Sequence, residues 1–139
     1  MVTRYSNTVS GSELSSELQA TINTFSIIGT DDKDGTGSAS ILVFNAAGDS
    51  IASGSYVLAR VWIADAEFSE PDPRGAGGDF TVGLGELMRT IEAKADLEIL
   101  VPATGASVDI NNDGAGTVYV MVESNGVVYS SGAIAITVT

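Results

Sequence analysis

The chain is 139 residues long, contains no Cys and no His, and carries a formal net charge of −12 from 18 acids against 6 bases. That length suits one domain. The missing residue types exclude disulfides, thiolate metal sites, thiol nucleophiles and the imidazole base on which most hydroxyl nucleophiles depend. The last basic residue is Lys94, so nucleic acid and anionic membranes, which are held through Lys and Arg, are not expected partners, and a basic protein surface suits the chain better.

Hydrophobic residues make up 44% of the chain and aromatics 6%, which points to a core of Val, Ile, Leu and Ala. No apolar run approaches the ~18–20 residues of a membrane-spanning helix. The first residues, MVTRYSNTVSGSEL, lack the apolar stretch of a secretory signal, so export by that route is not expected.

Residues 1–10 read as a polar arm. Ser12 then stands before Glu13, and Leu14, Leu18 and Ile22 recur every fourth residue, the pattern of a short amphipathic helix with a Ser cap and an acidic first turn. A helix this short is marginal alone, so its apolar stripe must dock on its own sandwich, on sister subunits or on a larger assembly. Residues 1–23 are therefore assigned to an anchor or oligomerisation segment, and 24–139 to a β-sandwich domain.

From Thr24 the period is two, and short strands recur at the roughly 8–12-residue spacing of a sandwich or barrel. Strands are expected near Phe25–Ile28, Ala39–Ala46, Ser55–Ala66, Phe80–Gly83, Glu86–Ala93, Leu97–Val101, Ser107–Ile110, Thr117–Glu123 and Val127–Val138. Between the first two lies a turn, Thr30 to Gly37; Ser124-Asn125-Gly126 carries the Asn-Gly hairpin signal. Gly132 marks a bulge or bend where the last strand changes sheets. Ser69–Asp79, rich in Pro and Gly, has no periodicity and is the place for adaptable contacts.

Asp109-Ile110-Asn111-Asn112-Asp113-Gly114 fits the opening of a calcium loop, with Asp109, Asn111 and Asp113 as ligands. The closing acid is absent, since position twelve is Val120, and Asn, Asp and Gly are also what an ordinary turn demands. The ordinary turn is the preferred reading, and no cofactor is expected. Asp31, Asp32 and Asp34 form a weaker cluster of the same kind. Glu92 with Glu98 or Asp96 is an example of a glycosidase-like carboxylate pairing, and solvated strand-face acids explain it more simply. Gly75-Ala76-Gly77-Gly78 lacks the Lys and the helix of a phosphate loop. No enzyme is expected.

The strands are unusual in being apolar on both faces. Val57, Ala59, Val61 and Ile63 share one face of the long strand, and Tyr56, Leu58, Arg60 and Trp62 the other; Tyr119 and Met121 oppose Val118, Val120 and Val122. A sandwich buries one face per strand. Tyr56, Leu58, Trp62, Tyr119 and Met121, with Leu14, Leu18 and Ile22, are thus the candidate interface residues, the competing reading being cover by the N-terminal helix and loops or Arg60 lying over Trp62.

Three stretches carry a resemblance: Arg60-Val61-Trp62-Ile63-Ala64-Asp65, the run GELMRTIEAKADL from Gly85 to Leu97, and AGTVYVMVESNGVVYSSGAI between Asp109 and Ile134. From about Ala39 onward the chain resembles the immunoglobulin-like β-sandwich modules of tailed-phage virion proteins, including capsid decoration proteins and head fibres. The resemblance implies an all-β, immunoglobulin-like sandwich of about eight or nine strands behind the N-terminal arm and helix. It further implies a non-enzymatic protein on the outer surface of the capsid, assembled in the host cytoplasm and bound to the major capsid protein or another virion protein. A homo-oligomer follows in that setting, a trimer above all, with Leu14, Leu18 and Ile22 in its contact and Met1–Ser10 reaching the lattice. The alternative is a tail, baseplate or carbohydrate-binding module that uses Trp62 and the Ser69–Asp79 loop.

Overall fold

A computed structural model describes residues 23–139; the proposed arm and helix, with Leu14, Leu18 and Ile22, lie outside the described residues. Ten strands follow in order: β1 (Thr24–Asp31), β2 (Thr36–Phe44), β3 (Tyr56–Ala64), β4 (Asp79–Val82), β5 (Glu86–Glu92), β6 (Asp96–Pro102), β7 (Ala106–Asn111), β8 (Gly116–Ser124), β9 (Val127–Ser130) and β10 (Ile134–Ile136). They form two sheets, one of four strands in the order β1-β2-β7-β4 and one of six in the order β10-β8-β3-β6-β5, with β9 also on β8. Every pairing is antiparallel.

The period-2 pattern sets the core. Phe25 and Ile27 of β1, Ala39, Ile41 and Val43 of β2, Ala59, Val61 and Ile63 of β3, Leu97, Ile99 and Val101 of β6, and Val118, Val120 and Val122 of β8 all point between the sheets, with Phe80, Val108 and Ile110. These residues are aliphatic apart from two Phe, as the composition requires, and β-branched side chains suit a pleated, half-buried surface. On one flank of the sandwich β1 touches β9 and β10. On the other, β4 and β5 stand apart, and an apolar cleft of about 310 Å³ opens between them.

Two details depart from the expected pattern. Strand β2 begins at Thr36, so Gly37 belongs to the strand: a Cβ there would overlap Ile136 and the Thr30 carbonyl, and one on Gly29 would overlap Ile134. These glycines give β10 room to lie against the β1–β2 hairpin; they are packing positions and not turn positions. The last expected strand is two, which makes ten strands where eight or nine were expected. Met121 pairs with Ser130 and Val118 with Ile134, so the segment between carries one extra residue. Gly132 sits there at φ +75°, and the Ser131 hydroxyl accepts a bond from the Val120 amide where a strand carbonyl would stand. The bulge does not move the strand to the other sheet: β10 stays on β8, and only beyond it does Val138 bridge to Asp34 in the β1–β2 turn. The Asn-Gly hairpin forms as read, with Asn125 at φ +54° and Gly126 at φ +78°.

Candidate interaction surface

The strand registers place outward-facing side chains of the six-stranded sheet in rows. Arg89 of β5 lies opposite Glu98 of β6, Glu98 opposite Arg60 of β3, and Arg60 opposite Glu123 of β8. The row therefore alternates in charge, plus, minus, plus, minus, over four strands. Arg89 Nε is 3.5 Å from Glu98 Oε1, and Arg60 Nη1 is 3.6 Å from Glu123 Oε1. Cross-strand pairs of this kind each contribute a few tenths to about 1 kcal/mol.

Arg60 does more than complete the row. Its Nε donates to both Asp96 oxygens at 3.0 and 3.1 Å, and its Nη2 to Oδ2 at 2.6 Å. Asp96 is only 2% exposed, so this bidentate clamp is what makes its burial tolerable. The same contact, chiefly through hydrogen bonding, raises the Arg60 pKa above its ordinary value and keeps the guanidinium charged at every physiological pH. The guanidinium also lies 4.6 Å from the centroid of the Trp62 ring, within cation–π range.

On one side of the charged row the face is open and apolar. Leu58 stands opposite Leu100, with Glu86 beyond Leu100, and Tyr56 stands opposite Pro102. Tyr56 and Leu58 are more than half exposed. Leu58, Arg60, Arg89, Ile91, Glu98 and Glu123 bound a shallow depression that Asn125 of the β8–β9 turn closes.

On the other side the face is shut. Trp62, Ala64 and Met121 form a second buried cluster with Tyr119 packed on it. Residues 65–78 run over them: the Trp62 indole N–H donates to the Ser69 carbonyl at 2.9 Å, and the Asp72 amide donates to the Ile63 carbonyl. Arg74, 8% exposed, pins the segment by donating to Asn112 Oδ1, Asp65 Oδ1 and the Asp72 carbonyl. This is a correction to two expectations. Of the five candidates on the sandwich, Trp62 is buried under the chain's own loop, Met121 is buried in the cluster with Trp62, Tyr119 is half-buried, and only Tyr56 and Leu58 are presented. The Ser69–Asp79 segment is a pinned strap and not an adaptable loop, because the buried Arg74 ties it to Asp65 just after β3 and to Asn112 just after β7.

The other motifs resolve into local hydrogen bonding. The Asp113 amide donates to Asn111 Oδ1, and Asn112 Nδ2 donates to the Gly114 carbonyl, while Asp113 takes φ +53°. Asp109 lies on the outer face of β7, between Ser38 and Thr81. Asp109, Asn111 and Asp113 are thus a strand end and an Asx turn, and no group of three or more acids able to hold a metal occurs among the described residues. Asp31 accepts from the Thr137 amide and hydroxyl and from the Lys33 amide, which lowers its pKa, the Thr137 side chain first. It latches the C-terminal residues to the first hairpin. Glu98 and Asp96 are engaged by Arg89 and Arg60, and Glu92 sits opposite Asp96 on the β5 edge.

The β5 edge is the second open region. All seven residues of β5 are exposed, and its pairing with β6 is broken by two irregularities, after Leu87 and after Thr90. Leu84, Leu87, Met88 and Ile91 are large, apolar and exposed there, an arrangement that edge-strand bulges protect from indiscriminate pairing. Comparison with family models, with curated proteins and with solved structures finds no match.

Proposed function

We propose that this chain is a non-enzymatic structural module of a phage particle, an immunoglobulin-like sandwich that decorates the capsid exterior through protein–protein contacts. One observation carries the reading: exposed large apolar residues concentrate on the six-stranded sheet, at Tyr56 and Leu58 on its outer face and at Leu87, Met88 and Ile91 on its edge. Exposed apolar surface gathered in this way marks an interaction site. The acidic balance supports an outer surface, remote from packaged nucleic acid.

The strand layout supports the immunoglobulin-like part. The order β1-β2-β7-β4 corresponds in space to strands A-B-E-D of a variable-type domain, and β5-β6-β3-β8-β9 to C″-C′-C-F-G. The chain visits these places in a different sequence: it lays down β4 at the D position before the β5–β6 hairpin, where a variable domain makes C′ and C″ first. The carbohydrate-binding alternative loses its platform residue, since Trp62 is 6% exposed and covered by the strap.

The partners in this reading are the major capsid protein or another virion protein, with residues 1–23 as the anchor. The test is copurification of the full chain with particles, with and without those residues. Stoichiometric occupancy that falls at least tenfold on deletion supports the proposal. Absence from purified particles overturns it.

A further inference from the structure

The alternating row reads as its own complement. A twofold axis that lies in the face, runs along the strands and passes between β6 and β3 reverses the order β5-β6-β3-β8. The reversed row, minus, plus, minus, plus, meets the original with every charge opposed. We propose that the outer face of the six-stranded sheet is the contact between two copies of this chain, related by that axis.

The rows beside it obey the same reversal. Glu98 meets Arg60 of the second copy, and Arg89 meets Glu123 of the second copy. Leu100 meets Leu58 and Pro102 meets Tyr56. Each of these pairings follows from the registers that set Arg89, Glu98, Arg60 and Glu123 in one row and Leu100 beside Leu58 in the next. An isologous interface needs this self-complementarity, residue i on j and j on i.

The other in-plane axis, across the strands, stacks each strand on its own copy and sets Arg60 against Arg60; like charges in apposition cost several kcal/mol. Because the axis runs along the strands, both copies present Asn23 at the same end.

At about 4.8 Å per strand the five-stranded face is roughly 19 Å across, and the strap occupies part of it. The contact is therefore at the small end of specific interfaces and should form at micromolar or higher concentration. It stands on the sandwich alone: a dimer can form whether or not the protein binds particles, so the two proposals fail separately.

The test is sedimentation equilibrium of the full chain at ~100 μM, where an interface of this size is populated, on wild type, Arg89→Glu and Glu123→Arg. Both changes are on exposed or half-exposed side chains, and thermal melting of each variant confirms that it folds. The wild type is expected to dimerise. Each variant alone sets like charges together twice per dimer and weakens association by ~10–100-fold, at 1.4 kcal/mol per factor of ten. An equimolar mixture restores both contacts and gives a 1:1 heterodimer: the carboxylate introduced at position 89 of one chain meets the guanidinium introduced at position 123 of the other, and the unchanged Glu123 of the first meets the unchanged Arg89 of the second. A monomeric wild type, a trimer indifferent to these changes, or a mixture that stays monomeric overturns the proposal.

Discussion

The two sheets bury the same kind of side chain between them and show water opposite chemistry. Outward on the four-stranded sheet stand Ser26, Ile28 and Thr30, Ser38, Ser40 and Leu42, Ser107, Asp109 and Asn111, and Asp79 and Thr81, with Ser38 opposite Asp109 and Asp109 opposite Thr81. The side chains are short and polar apart from Ile28 and Leu42, and none is basic. Outward on the six-stranded sheet stand two Arg, two Glu, a buried Asp, and exposed Leu and Tyr. A strand needs only its inner residues to fold, so the outer residues are free to differ, and their difference locates the working face.

The shared core is the premise of that comparison, and Phe80→Ala tests it. Phe80 comes from the short edge strand of the four-stranded sheet and is 2% exposed; its truncation should cost about 3–5 kcal/mol. Urea unfolding monitored by far-ultraviolet dichroism should remain one transition, displaced to lower denaturant. Two separated transitions would mean that the sheets do not share a core.

Arg60→Ala sharpens the contrast between the faces. It leaves Asp96 buried without its cation and removes the contact on Trp62, so a loss of about 1.5–3 kcal/mol is expected, together with a change in Trp62 fluorescence. Below that in size lies the pH response of the C-terminal latch. The folded pKa of Asp31 is depressed, so its stabilisation is present above the ordinary carboxylate value near 4 and is lost as pH falls through the folded value. Melting temperature should decline below about pH 4, and Asp31→Asn should flatten that decline. A decline equally steep in the variant would remove Asp31 from the latch. Smallest of all, Ser40→Ala on the solvated face should shift stability by no more than about ±0.5 kcal/mol and leave association unchanged.

Much of the framework was legible in the sequence because alternation reports which residues share a face. Ala59, Val61 and Ile63 on one side of β3, with Tyr56, Leu58 and Arg60 on the other, follow from period two alone. What covers a face does not follow. Trp62 is sealed by a segment whose anchor, Arg74, sits in a Pro- and Gly-rich stretch with no periodicity; the only local hint was a cation flanked by Asp65 and Asp72. The charged row was equally hidden. Arg89, Glu98, Arg60 and Glu123 become neighbours only through the registers of three strand pairs, and register between distant strands is set by packing and not by any one segment. Gly37 misled for a physical reason, since glycine serves close approach as well as turns.

The most direct test of the central claim is a backbone amide NMR titration of the full chain, from about 10 μM to 1 mM, with both faces in one spectrum; the range brackets the expected weak association. Concentration-dependent shifts should cluster at Leu58, Arg89, Glu98, Leu100 and Asn125, while Ser38, Ser40, Ser107 and Asp109 stay fixed. Shifts centred on the Ser- and Asp-lined face, with the six-stranded face unmoved, would contradict it.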